Sequence, residues 1–118
     1  MGGARGRLDH FLANVALLAS SRFADLEIDA YLGDAYLAVV QGGRPPHVVT
    51  GTAGSLVTLL AAGGDACGIT TAGLQYPLHS ATLRPGSTRG VSNVLGRTGS
   101  VALEQGTLLV IQPSGGAL

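Results

Sequence analysis

Apolar and polar positions along the chain change period once. In the first stretch Leu8, Phe11, Leu12, Val15 and Leu18 recur at helical spacing, while Asp9, His10, Ala13 and Asn14 fall off that stripe. The pattern predicts one amphipathic helix over roughly 8 to 20, with Asp9 in the first turn, where the helix dipole favours a carboxylate. After Arg22 the period becomes two. In "DLEIDAYL" the residues Leu26, Ile28, Ala30 and Leu32 share one side, and Asp25, Glu27, Asp29 and Tyr31 the other. "GD" at 33 and 34 predicts a hairpin turn and "AYLAVV" a returning strand. "HVVT", "SLVTLLA", "ACGITT", "GVSNVL", "SVALE" and "TLLVIQ" follow as short strands, most of them separated by glycine-rich breaks. The expected fold is mainly β: an antiparallel β-sandwich, jelly-roll-like, with one N-terminal amphipathic helix.

Composition narrows this. A length of 118 residues suits one domain, and 19 glycines and five prolines suit many turns. The expected parts are a helix over 1–22 left from a larger domain, a sandwich over 23–113 and a loose tail over 114–118. A lone helix ahead of an all-β unit suggests a piece of a longer protein. Its apolar stripe must be buried somewhere, so an oligomer, most simply a two-fold dimer, is expected.

Charge excludes more than it suggests. The seven basic residues are all arginine and are balanced by seven acids. No basic patch and few aromatics predict no nucleic-acid partner. No apolar run approaches the roughly 20 residues of a membrane span, so no membrane partner is expected. The absence of lysine excludes a Schiff-base or P-loop lysine within the chain. The single cysteine, Cys67, forms no internal disulfide and reads as a small buried hydrophobe, in keeping with a reducing cytoplasm. Asp25, Glu27 and Asp29 read as a solvated strand face rather than a metal site. His10, His47 and His79 lack ligand spacing.

Two stretches could carry chemistry. In "GGARGRLDHFLAN", Arg7 and Asp9 open the helix after glycines that permit close backbone approach. The second, "TTAGLQYPLHSATLRPGSTRGVSN" over 70–93, is a long connection offering one aromatic, Tyr76, and two hydrogen-bonding side chains, Ser92 and Asn93. That combination suits a flat heteroaromatic ligand.

These same stretches resemble thiamine pyrophosphokinase. "RGRLDHFLANVALLA" is similar to that family's Gly-Gly-x-Arg-x-Asp-His-x-Leu-x-Asn signature, and "GITTAGLQYPLHSATLRPGSTRGVSN" to the "vTTxGLxYpLxxxxLxxGxsxGvSN" stretch of its C-terminal thiamine-binding domain. The resemblance implies transfer of pyrophosphate from ATP to thiamine, giving thiamine diphosphate and AMP, with Mg2+ in the full-length enzyme. It implies a homodimer formed through the β-sandwich, with thiamine in a cleft between subunits. Arg7 would face phosphates. Asp9 would face thiamine or the magnesium, and is the one possible metal ligand. Tyr76 would pack against thiamine, and Ser92 and Asn93 would help line the pyrimidine pocket. The family's acidic Asp-x-Asp-Ser and Lys-Asp-x-Thr-Asp motifs have no counterpart here, and Val94 stands where many members have Glu. The expectation is therefore a C-terminal fragment that binds neither Mg2+ nor ATP by itself, lacks activity alone and binds thiamine weakly or undetectably. The alternative is a non-catalytic β-sandwich module for small-molecule binding or dimerisation.

Overall fold

The computed structural model describes residues 28–32 and 35–113. The expected helix of 8–20, the domain piece 1–22, Arg7, Asp9, Asp25, Glu27, the "GD" turn and the tail 114–118 lie outside the described residues. The described residues form eight strands and no helix: β1 (Ile28–Leu32), β2 (Ala35–Gln41), β3 (His47–Val49), β4 (Leu56–Ala61), β5 (Ala66–Leu74), β6 (Ala81–Leu83), β7 (Asn93–Ala102) and β8 (Thr107–Gln112). All pairings are antiparallel.

One layer runs β1-β2-β8-β4, and the other brings β3, β7, β5 and β6 together. Strand β4 joins them. Its first two residues, Leu56 and Val57, pair with Val94 and Asn93 of β7, and Thr58–Ala61 then pair with β8. The hydrogen-bonded ladder thus folds over at β4 and encloses a core. Early strands lie beside late ones, β2 beside β8 and β3 beside β7, which is the interleaving of a jelly roll.

Alternation decides which residues meet inside. Ala38 and Val40, Leu108 and Val110, and Val57 and Leu59 point inward from one layer. Val49, Ile69, Leu83, Leu95 and Val101 point inward from the other. Leu59, Ile69, Leu83 and Leu95 are completely buried, and burial of each contributes roughly 1.5–3 kcal/mol. A second apolar cluster, Leu37, Val39 and Leu109, with Leu60 and Ile111 beside it, lies on the outer face of the β2-β8-β4 layer. In register Val39, Leu109 and Leu60 form one row and Leu37 and Ile111 the next. Burial on both faces explains why "AYLAVV" and "TLLVIQ" read as nearly continuous apolar runs instead of alternating ones.

Two elements differ from the sequence expectation. "GVSNVL" and "SVALE" are parts of one strand, β7. Between the pairs Ala72↔Ser100 and Leu74↔Leu95, β7 carries more residues than β5, so Gly96–Gly99 form a bulge and not a turn. Gly73 sits opposite at φ 74°, where an added Cβ would lie 2.1 Å from the carbonyl oxygen of Thr98. Only glycine allows that approach. The second difference is β6, three residues inside the stretch read as one long connection. Cys67 is half-buried, more open than the expected core position. No helix among the described residues is long and apolar enough to cross a membrane.

Candidate functional site: the loop that carries Tyr76

The stretch 70–93 is built in two halves around β6. The first half leaves β5 at Leu74 and returns to it immediately. Two consecutive threonines fasten that return. The Leu78 N–H donates to Thr71 Oγ1 at 2.9 Å, and the Thr71 N–H donates to the Leu78 carbonyl at 2.9 Å. The Ser80 N–H donates to Thr70 Oγ1 at 3.1 Å. Leu78 is buried in the main core and anchors the loop from inside. The sequence "TTAGLQYPL" thus has a local logic: hydroxyls to hold the return, a glycine for the bulge contact, and Leu74 and Leu78 as anchors. Between those anchors Tyr76 has nowhere inward to go. The residue is 59% exposed.

The second half, after β6, is closed by turns. The Ser87 N–H reaches the Arg84 carbonyl and the Val91 N–H the Thr88 carbonyl, each at 3.0 Å. Gly90 lies against β4, where its carbonyl takes the Leu59 N–H at 2.8 Å and a Cβ would lie 2.5 Å from the Leu59 carbonyl oxygen. Ser92 then adopts a left-handed conformation, φ 60°, rare for a residue with a side chain. Its N–H donates to Thr58 Oγ1 at 3.0 Å. Ser80, at φ 47°, is held in the same way by Thr70. Non-glycine residues held in this region cost of order 1–3 kcal/mol and gather at functional sites.

The two halves meet at Asn93. Asn93 is buried, and its side chain bonds both backbone polar groups of Tyr76: Oδ1 accepts from the Tyr76 N–H at 2.9 Å and Nδ2 donates to the Tyr76 carbonyl at 2.8 Å. The Gln75 N–H also donates to the Val94 carbonyl at 2.9 Å. The fold therefore brings Tyr76, Ser92 and Asn93 to one end of the sandwich, where β4 meets β7. Exposed Tyr76, Val91, Ser92 and Leu56 gather at that end, Leu56 standing opposite Val94 in register. An apolar rim beside the exposed Ser92 can hold a flat aromatic molecule. The fastening roles of Thr58, Thr70 and Thr71 escaped the sequence reading. For Thr70 and Thr71 a signal was present in the "TT" pair, but hydroxyl-to-backbone bonds across 7 to 34 residues leave no periodic trace.

Among the described residues no group of three or more His, Cys, Asp or Glu could hold a metal ion.

Comparisons with known proteins point to one family. The sequence model of a family described as "Thiamin pyrophosphokinase, vitamin B1 binding domain" matches residues 46–108. No curated protein sequence matches the chain significantly. Solved structures are similar. Thiamine pyrophosphokinase from Bacillus subtilis superposes with a TM-score of 0.77 at 23% identity, over 91% of this chain and 50% of that one. Thiamin pyrophosphokinase from Geobacillus thermodenitrificans gives 0.74 at 29% identity, over 91% and 49%. A thiamin pyrophosphokinase family protein from Enterococcus faecalis gives 0.72 at 21% identity, over 92% and 51%. At such identities the first and third show the fold alone. The chain spans about half the length of each of these structures. With more than half of its own residues matched by the family's sequence model, the chain belongs to the thiamine pyrophosphokinase family, and the matched part is the vitamin B1 binding domain.

Proposed function

We propose that the chain supplies the thiamine-binding wall of a cytoplasmic thiamine pyrophosphokinase, whose reaction takes ATP and thiamine to thiamine diphosphate and AMP. The observation that carries the reading is the exposed Tyr76, fixed by its backbone between the buried anchors Leu74 and Leu78. Thiamine joins a flat aminopyrimidine to a cationic thiazolium ring. An exposed phenol ring suits both, by stacking and by cation–π attraction. The Ser92 hydroxyl at the neighbouring edge supplies a polar contact for the pyrimidine.

The remaining roles rest on the resemblance. Arg7 would bind phosphate and Asp9 would bind thiamine or assist a magnesium ion. Because the described residues offer Mg2+ no ligand cluster, ATP and its metal would be held by acids outside them. Two copies would pair through the sandwich, covering Leu56, Val91 and Tyr76 at the subunit boundary. Sedimentation tests the pairing: a chain that stays monomeric at high concentration counts against it.

The thiamine reading is tested by calorimetry on the wild-type chain and on Tyr76→Ala. Weak saturable binding is expected for the wild type. Loss of one cation–π and stacking contact, about 1–2 kcal/mol, should weaken the variant roughly 5- to 30-fold. Equal affinity of the two proteins would sink Tyr76 as the wall, and tight micromolar binding would contradict a pocket completed by a second surface.

A further inference from the structure

Asn93 makes three hydrogen bonds with its side chain, all to backbone. Oδ1 accepts from the Tyr76 and Val94 N–H groups at 2.9 Å each, and Nδ2 donates to the Tyr76 carbonyl at 2.8 Å. Asn93 is 4% exposed, so the carboxamide has little surface left to offer a ligand. Two of its bonds go to the same residue, one to each polar group. A carboxamide presents an acceptor and a donor side by side, as one edge of a strand residue does.

That pattern has a specific consequence here. Strand β5 ends at Leu74, and the last main-chain rung toward β7 is the Gln75 N–H on the Val94 carbonyl. Tyr76 comes next, level with Asn93 where β7 begins, and among the described residues it has no main-chain partner there. The Asn93 carboxamide takes that place and extends the ladder by one rung. Its own base is rigid: Asn93 stands opposite the fully buried Val57, and the preceding Ser92 is pinned to Thr58. Tyr76, by contrast, is exposed and belongs to neither apolar cluster, so its backbone bonds to Asn93 are its described fastening.

We propose that Asn93 is a positioning residue for Tyr76, fixing the exposed ring against which a flat cationic ligand stacks without itself touching that ligand. The proposal rests on the thiamine reading above. It explains the residue type. Aspartate keeps the acceptor but sets a carboxylate against the Tyr76 carbonyl, alanine removes both bonds, and glutamine is one methylene too long.

The test has an arm that needs no ligand. In the wild-type protein, hydrogen exchange followed by NMR should show a protected Tyr76 amide and slowly exchanging Asn93 side-chain amide protons. In Asn93→Ala, Tyr76 amide exchange should accelerate at least about tenfold, with the core amides of Leu59 and Val101 unchanged. The second arm is a double-mutant cycle with thiamine. Asn93→Ala should weaken binding about tenfold in the wild-type background and have no further effect in Tyr76→Ala. An unprotected Tyr76 amide in the wild type overturns the proposal even if the variants fail to fold. So does an equal loss of affinity in both backgrounds, which would place Asn93 on the ligand directly. If the wild type shows no thiamine binding, the functional reading fails, and the exchange arm alone decides whether Asn93 holds Tyr76.

Discussion

Replacing Thr71 by valine changes a hydroxyl to a methyl at nearly constant shape and asks what holds the Tyr76 loop. Thr71 is 8% exposed and Leu78 6%, so water does not readily reach the bond between them. In Thr71→Val the Leu78 N–H loses its 2.9 Å acceptor and stays buried. A buried donor left without a partner costs about 1–3 kcal/mol, partly offset by the added apolar methyl at about 0.8 kcal/mol. A net loss of up to about 2 kcal/mol follows. For a domain of roughly 60–100 residues each kcal/mol shifts Tm by about 4–8 °C. Denaturant unfolding gives the free energy, and hydrogen exchange at Leu78 gives its location. Thr71→Ser keeps the acceptor and should leave Leu78 exchange slow, though it loses a methyl. If Thr71→Val is as stable as the wild type and its Leu78 amide stays protected, the hydroxyl does not fasten the loop.

Other substitutions probe other parts of the same account. Gly73→Ala forces a Cβ to within 2.1 Å of the Thr98 carbonyl oxygen at a left-handed φ, and should cost more than about 2 kcal/mol in denaturant unfolding, or prevent folding. Leu59→Ala empties a fully buried site between the layers and should lose about 2–5 kcal/mol by the same measure. Val39→Asp puts an unpaired carboxylate into the second apolar cluster; if the outer face of β2-β8-β4 is as buried as the core, thermal unfolding should fall by an amount comparable to Leu59→Ala. Tyr76→Ala, on an exposed side chain, should change stability by less than about 0.5 kcal/mol while weakening thiamine binding.

Much of the sandwich was legible in the sequence because alternation survives wherever one face is buried. In "SVALE" the spacing of Val101 and Leu103 identifies both the strand and its inward side, whereas "AYLAVV" and "TLLVIQ", buried on both faces, show the strand but not which side meets the main core. Legibility failed where glycine had two meanings. "GRTG" has turn composition, yet inside β7 it is a bulge, and only the long-range pairing with β5 distinguishes the two. Strand β6 is too short for any period to register. At the site, the gathering of Tyr76, Ser92 and Asn93 followed from the family-like motif. The opposite characters of Tyr76 and Asn93, one exposed and the other spent on backbone bonds, required the fold. Likewise the threonine fastenings join residues from different strands, as Ser92 to Thr58 does.

The central claim is that thiamine meets this chain at the Tyr76 loop. Titrating thiamine into the isotopically labelled protein while following amide and ring shifts by NMR tests it most directly. The account predicts saturable changes confined to Gln75–Leu78, Val91–Val94 and the Tyr76 ring. Saturable changes centred on another surface, or none up to millimolar thiamine, would contradict it.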